Sequence, residues 1–179
     1  VVLCGVNNHF ATCIFGAGLL TKEDESAYDW VIEALLEANK GKQPISVLTD
    51  GDKAMMKAIE KLLPDAVHRL CSWHVARNAK SNVPEGFRKR FNECMHGWWT
   101  ITEFENKWIQ YVEEEGMQHN RWVNAMSGMR RMWAKAYLSN YFFAGMTSTQ
   151  RCEKMNDVLK MHVNRRMNLF RFLRSFDLG

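Results

Sequence analysis

The sequence predicts an α/β fold, with a mixed sheet, flanking helices and an all-helical insertion. Over residues 1–83, short apolar runs typical of strands alternate with helical patterns. Over residues 84–140 no convincing strand pattern occurs, and large apolar side chains recur at helical spacing. Helical patterns also dominate residues 141–179. The three ranges therefore predict a first core part, a helical insertion and a set of C-terminal helices.

The first two strands are predicted to form a hairpin. "VVLCGV" and "ATCIFGAGLL" flank a turn signal at residues 7–9, which favours antiparallel pairing. The first run has almost no polar interruption, so we expect it to be buried on both faces. Ser26 and Asp29 resemble a weakened capping box that begins an amphipathic helix, with Trp30 on its apolar stripe.

Two further strands alternate with helices. "ISVLT" is the third strand, "DKAMMKAIEKLL" is a helix that ends before Pro64, and "AVHRLCS" is the fourth strand. Strands joined through a helix pair in parallel, so a hairpin that leads into such units predicts a mixed sheet. The remaining patterns predict helices over residues 73–83, 85–96, 102–115 and 121–138, and two more over residues 148–163 and 168–176.

Composition indicates a globular chain, with 46% apolar and 25% charged residues. No apolar run reaches the length of about 18 residues that a transmembrane helix needs. The chain begins at Val1 inside an apolar run, which we interpret as the start of an internal fragment. An odd number of cysteines without secretory context predicts reduced thiols rather than a disulfide framework. These residues are Cys4, Cys13, Cys71, Cys94 and Cys152.

Charge is distributed unevenly along the chain. Residues 1–64 carry six basic and nine acidic side chains, whereas residues 65–179 carry eighteen and eleven. A basic second part is compatible with a polyanionic partner. A solvated surface of mixed charge explains the same counts, so charge alone does not decide between the two.

Asp50 is the first candidate functional acid, because it follows directly on the third strand. Ligands of α/β sheets bind at the carboxyl ends of strands, and a carboxylate there can hold Mg²⁺. Asp52 precedes a helical pattern and suits an N-cap. We therefore assign function to Asp50 and capping to Asp52.

Two further sets of residues are candidates for metal chemistry. Cys71 and His74 lie three residues apart, yet two ligands are at most half of a structural zinc site, and a buried cysteine with a hydrogen-bonded histidine explains them equally. Glu153 lies 103 residues beyond Asp50, across the helical stretch. Stabilisation of a helix N-terminus explains this acid too. Two acids brought together across an insertion would instead suit metal-dependent phosphoryl transfer.

Three segments, in this order, resemble the core of Mutator-like element (MULE) transposases. They resemble most their domesticated plant relatives, the far-red impaired response and far-red elongated hypocotyl family. The segments are "GVNNHFATCIFGAGLLTKEDESAYDWVIEALLEANKGKQPISVLTD", "LTDGDKAMMKAIEKLLPDAVHRLCSWHVARNAKSNV" and "RRMWAKAYLSNYFFAGMTSTQRCEKMN". The resemblance covers nearly the whole chain. Cys152 departs from it, because serine is more typical at that position.

This resemblance implies a ribonuclease H-like fold with a DDE triad of acids. Asp50 matches the second acid and Glu153 the third, and Mg²⁺ or Mn²⁺ would be the catalytic ion. The first acid would belong to a strand upstream of Val1. Cys71 and His74 match the CxxH feature of the family, with zinc expected mainly in modules outside this chain. DNA would be held through its phosphates by basic residues. The candidates are Arg69, Arg77, Lys80, Arg88, Lys89, Arg90, Arg130, Arg131, Arg151, Arg165 and Arg166.

Two functions remain open at this point. The first is a transposase-derived transcriptional regulator in the plant nucleus. Its expected partners are DNA, transcriptional proteins and a second subunit in a homo- or heterodimer, and no membrane contact is expected. The second is an active transposase that cleaves DNA and transfers strands. With one acid outside the chain, we expect no nuclease activity from this fragment alone. A nucleophile elbow, a phosphate loop and a dinucleotide fingerprint are all absent from the sequence.

Overall fold

The computed structural model describes residues 1–161, 170 and 171. These residues form a mixed α/β structure, which confirms the predicted class at that level. They divide into two units: residues 1–21 together with the described residues from 149 onward, and residues 22–148. Arg165, Arg166 and most of the helix expected over residues 168–176 lie outside the described residues.

The first unit consists of the predicted hairpin and one helix. Strands β1 (Val2–Val6) and β2 (Thr12–Ala17) pair antiparallel, with an irregularity between Leu3 and Cys4. The helix that packs on β1 spans Gln150–Met161 and is the last of the described helices. The residues of β1 are half-buried, so the expectation of a strand buried on both faces is wrong. A two-stranded sheet in this unit leaves part of each strand in contact with solvent.

A disulfide joins Cys4 of β1 to Cys152 of this helix, with their Cα atoms 6.1 Å apart. The prediction of reduced thiols throughout is therefore wrong for this pair. The residue count could not reveal the pairing, because 148 positions separate the two cysteines and only the packing of the helix on β1 brings them together. Cys13, Cys71 and Cys94 are not part of a disulfide.

The second unit contains the predicted parallel strand pair. After helix α1 (Glu25–Ala38), strand β3 (Ser46–Thr49) leads into helix α2 (Lys53–Leu62) and returns as β4 (Val67–Leu70). Strands β3 and β4 are parallel, as expected for strands joined by a helix. In the part of the chain that the structure describes, the four strands form two two-stranded sheets and not one mixed sheet.

Helix α1 differs from its prediction at both its cap and its buried face. The N-cap is Asp24, whose carboxylate accepts from Ala27 N at 3.0 Å, so Ser26 is not the capping residue. Tyr28 and Val31 are buried, whereas Trp30 is 56% exposed. The apolar stripe that the sequence predicts is offset by about one residue from the buried face. The reason is that several apolar side chains follow one another near the start of this helix.

Helices fill the rest of the second unit. The first three are α3 (Ser72–Asn82), α4 (Glu85–His96) and α5 (Ile101–Glu114), and they follow the predicted patterns. The expected single helix over residues 121–138 is instead three pieces, named α6 (Arg121–Gly128), α7 (Arg130–Trp133) and α8 (Lys135–Leu138). The breaks fall at Met129 and at Ala134, which has extended backbone angles and is fully buried. The helix of the first unit, Gln150–Met161, is α9.

An aromatic cluster forms the core of these helices. Phe87, Phe91, Phe104, Trp108 and Trp133 are nearly inaccessible to solvent and pack ring against ring. Large apolar side chains at helical spacing were predicted to pack in this way, and the prediction is confirmed. Within the described ranges, no helix is both long enough and apolar enough to cross a membrane.

Candidate functional site

Asp50 and Asp52 occupy the turn between β3 and α2. Asp52 is the N-cap of α2, because its Oδ1 accepts from Ala54 N and Met55 N, each at 2.9 Å. This confirms the capping role. Asp50 is exposed, and its Oδ1 accepts one longer bond of 3.2 Å from Asp52 N. Asp50 therefore lies at the carboxyl end of a strand, and its carboxylate can still bind another ligand.

The different roles of these two acids can be measured as stability. We expect Asp52→Ala to lower the free energy of unfolding by about 1 kcal/mol, because two N–H groups of α2 lose their acceptor. Asp50→Ala should change it by less than about 0.5 kcal/mol, as is usual for an exposed side chain. Urea unfolding of both variants tests this, with Asp65→Ala as the control for loss of an exposed acid. A larger loss for Asp50→Ala would contradict the assignment.

Gly51 sets the direction of this turn. Its φ is +90°, a left-handed conformation that glycine adopts without steric cost. A Cβ at this position would lie 3.4 Å from Leu70 Cδ2. Space is therefore adequate, and backbone strain is the reason for glycine here.

Replacement of Gly51 should destabilise the protein. We expect Gly51→Ala to lower the free energy of unfolding by about 1–2 kcal/mol, since alanine must enter the left-handed region. Gly128→Ala is the matched control, because Gly128 ends α6 with open space around it and no positive φ. Alanine is the better helix former, so the control should be neutral or stabilising. Equal losses for both variants, measured by thermal unfolding, would contradict the strain argument.

Two residues near the acids did not emerge from the sequence patterns. His68 on β4 lies 2.8 Å from Thr49 Oγ1 through its Nε2, and burial lowers the pKa of His68 to about 4. The imidazole is therefore neutral at pH 7. Burial raises the pKa of the Tyr28 hydroxyl to about 12, and nearby carboxylates, including Asp52 and Asp50, add to the shift. Tyr28 could have been found from its helical spacing to Ile32, but its proximity to the acids depends on tertiary packing.

Cys71 and His74 lie at the start of α3. Cys71 is the N-cap residue and is 1% exposed, and its N–H donates to Thr49 O at 2.7 Å. His74 lies in the first turn, and its buried Nδ1 has no hydrogen-bond partner among the described residues. Ser72 holds the later chain in place, because both its N–H and its hydroxyl donate to Thr147 O at 2.8 Å.

Glu153 belongs to the other unit. It lies in the first turn of α9 and is exposed, and its Oε1 accepts from the Thr149 hydroxyl at 2.8 Å. The neighbouring Arg151 donates to Phe10 O at 2.8 Å and to Thr12 Oγ1 at 3.1 Å, within the same unit. Because Asp50 lies in the second unit, the pairing of Asp50 with Glu153 stays a prediction.

No group of three or more His, Cys, Asp or Glu side chains suited to a metal ion occurs among the residues that the structure describes. Asp50 is the acid whose position fits a divalent cation, since its oxygens face solvent at a strand end. Cys71 and His74 together offer two ligands, which is fewer than the four of a structural zinc site. The His74 Nδ1 without a partner is compatible with a ligand role or with a hydrogen bond to water.

Comparison with known proteins places the chain in context. Residues 1–78 match the family model described as "MULE transposase domain". The resemblance to MULE transposase domains is confirmed. The matched MULE segment contains Asp50, Cys71 and His74, whereas Glu153 lies beyond it.

Several curated proteins similar to this chain come from Arabidopsis thaliana. It is 32% identical over 180 residues to Protein FAR-RED IMPAIRED RESPONSE 1, covering 97% of this chain and 22% of that protein. It is 28% identical to Protein FAR1-RELATED SEQUENCE 5, with 97% and 23% covered. For Protein FAR1-RELATED SEQUENCE 11 the identity is 30%, with 94% and 26% covered. The chain thus spans about a quarter of the length of these relatives.

Proposed function

We propose that the chain is the transposase-derived core of a nuclear transcriptional regulator of the FAR1-related type. The observation that carries this proposal is the similarity to Protein FAR-RED IMPAIRED RESPONSE 1, which extends over 97% of the chain and so continues far beyond the matched MULE segment. In this proposal, residues 1–83 and 141–179 form a ribonuclease H-like core and residues 84–140 are its helical insertion. Sequence-specific reading of DNA belongs to zinc modules elsewhere in the full protein.

The domain would contact DNA chiefly through phosphates. The second part of the chain supplies the necessary positive charge, with eighteen basic and eleven acidic residues beyond residue 64. Contacts to phosphates fix the position of a protein on a duplex and carry little sequence information. The remaining surface of the domain would bind transcriptional partner proteins or a second FAR1-related chain.

A genome-wide chromatin profile of the full-length protein tests the regulatory role. We expect enrichment at promoters and altered transcription of the neighbouring genes when the protein is removed. A profile without promoter enrichment would overturn the proposal.

An active transposase is the second candidate, and the uncommitted carboxylate of Asp50 favours it. Asp50, with Glu153 and an acid outside this chain, would hold Mg²⁺ or Mn²⁺. The ion would polarise a phosphodiester and activate water or a 3′-hydroxyl. The residues of this chain would position the ion, and Lys and Arg side chains would hold the DNA. This chain by itself is proposed to be inactive.

A strand-transfer assay separates the two functions. If the full-length protein is a transposase, Asp50→Asn and Glu153→Gln should each abolish strand transfer in Mg²⁺ or Mn²⁺. The exposed acids Asp65 and Glu37 provide matched controls, as Asp65→Asn and Glu37→Gln should leave it unchanged. Strand transfer that survives Asp50→Asn and Glu153→Gln would exclude the DDE assignment, and no transfer by the wild type favours the regulatory role.

A further inference from the structure

The basic residues that were expected to contact DNA differ in how accessible their charge is. Arg69 on β4 is 8% exposed, so a large ligand has little access to it. Arg90 and Arg130 form ion pairs with Glu114 and Glu105 of α5, at 2.9 and 2.6 Å. These three cations are therefore either inaccessible or already paired with an acid, and a phosphate contact has to be sought elsewhere.

Helix α3 presents accessible positive charge. Arg77 and Lys80 are exposed, they lie three residues apart and so are neighbours on the helix surface, and α3 contains no acidic residue. Neither forms an ion pair with a described residue. The Cζ atom of Arg77 lies 5.3 Å from the ring centroid of Trp73. Such a ring contact holds a guanidinium in place without neutralising it.

Helix α4 packs against α3 and brings two more cations to the same side. Arg88 and Lys89 of α4 line an open cavity of about 320 Å³ together with Ala76 and Ala79 of α3. Lys80 lies one helical turn beyond Ala76, so it borders the cavity from the α3 side. Basic side chains of both helices therefore surround one depression of the surface.

The lining of the cavity also includes an acid. Glu85 lies 3.5 Å from Arg88, and the side chains are 73% and 29% exposed. An ion pair at the surface contributes little free energy, so Arg88 can exchange this partner for a phosphate. Lys89 is exposed and forms no ion pair with a described residue. The positive charge around the cavity therefore exceeds the charge of Glu85.

The lining favours a polyanion over a protein partner. Phe91 and Met95 contribute the large apolar side chains of the lining, and each is only 1% exposed. The cavity thus offers no apolar pocket for the anchoring side chain on which protein interfaces depend. What it offers is charge and the exposed amide of Asn92. Accessible charge without an apolar pocket is typical of a surface that binds a phosphate backbone.

We propose that Arg77, Lys80, Arg88 and Lys89, named the α3–α4 surface, bind the phosphate backbone of DNA. Each cation would neutralise a phosphate and release its counterion. Because backbone contacts carry little sequence information, this surface would fix the position of the domain on the duplex. The proposal rests on the proposed function for its choice of DNA and assigns the DNA contact to these four residues.

Salt-dependent binding tests the α3–α4 surface. We would measure the affinity of the full-length protein for a fluorescent duplex of arbitrary sequence between about 50 and 200 mM salt, where phosphate contacts dominate the salt dependence. Arg77→Gln, Lys80→Gln and Lys89→Gln are made singly and as a triple variant. Arg90→Gln is the matched control on α4, because Arg90 is already paired, and Lys42→Gln is a second control at an exposed lysine. Circular dichroism establishes that each variant is folded.

Affinity should fall by about threefold for each single variant and by at least about tenfold for the triple variant. The magnitude of the salt slope should fall by about 1 for each charge removed, whereas both controls should match the wild type. Should the triple variant not fold, the three single variants decide the result. Wild-type affinity and slope in the folded variants would overturn the α3–α4 surface.

Two further outcomes separate this surface from the proposed function. If the wild type does not bind the duplex at about 50 mM salt, both the surface and the proposed DNA contact of the domain are wrong. If the wild type binds and the triple variant binds equally well, the surface alone is wrong. Fluorescent polyglutamate provides a second probe. A triple variant that loses affinity for polyglutamate and keeps the wild-type DNA slope would assign the surface to an acidic protein and overturn the proposal.

Discussion

Trp133→Ala should lower the free energy of unfolding of the second unit by about 3–5 kcal/mol, the loss typical of a large aromatic side chain removed from a core. Trp133 is 1% exposed and is the largest of the fully buried side chains in the described residues. Its ring centroid lies 4.7 Å from Phe91 and 5.4 Å from Trp108. Alanine would leave a cavity between helices that meet at this residue.

The indole of Trp133 also has a polar role. Its Nε1–H donates to Met126 O at 2.8 Å in a fully buried hydrogen bond. This bond links α7 to α6 across the break at Met129, where the sequence had predicted one continuous helix. Trp133→Phe should therefore cost less than Trp133→Ala but more than a purely apolar exchange, because Met126 O loses the indole donor and keeps only the Met129 N–H at 3.1 Å.

Urea unfolding followed by circular dichroism measures both effects. Trp98→Ala is the control, because Trp98 is 83% exposed and its removal should change the free energy of unfolding by less than about 1 kcal/mol. If Trp133→Ala and Trp98→Ala proved equally stable, the aromatic cluster would not be the core of this unit. A preserved urea m-value would show that the denatured state is unchanged.

Loss of the Cys4–Cys152 disulfide is the second large effect, with an expected cost of about 2–4 kcal/mol. The bond closes a loop whose ends are 148 residues apart, and it joins the hairpin to the first turn of α9. Without the bond, the unfolded chain gains conformational entropy, which favours unfolding. In the folded state, only the non-covalent contacts of α9 with β1 then hold these two elements of the first unit together. The proposed nuclear location is a reducing compartment, in which such bonds are rare.

Thermal unfolding with and without dithiothreitol tests this prediction. Reductant should lower the melting temperature of the wild type and leave the double variant Cys4→Ser/Cys152→Ser unchanged. Cys13→Ser is the matched control, because Cys13 lies in the same hairpin and is not disulfide-bonded. Thiol titration of the unreduced protein, carried out after unfolding in urea, should detect three thiols, those of Cys13, Cys71 and Cys94. Five titrating thiols would contradict the bond.

Asp50 and Asp52 illustrate how much a short sequence can determine. The apolar run into Asp50 predicts a strand that ends on an acid, and the helical pattern after Asp52 predicts a cap, and both features occur in the structure. These are local properties, set by side-chain periodicity and by hydrogen bonds that span two or three residues. Trp30 shows the limit of the same reasoning, because a helix rich in apolar residues has more than one stripe that could be buried.

The sequence by itself determined the alternation of strands and helices, the hairpin, the parallel pair, the aromatic helical core and the resemblance to MULE transposases. Only the tertiary structure decided that Cys4 bonds to Cys152, that residues 121–138 break into three helices, and that Arg69 is buried near the ring of Phe143. The physical reason is the distance along the chain over which each kind of interaction acts. Local propensities act between neighbours along the chain, whereas burial and charge balance depend on which distant segments the fold brings into contact.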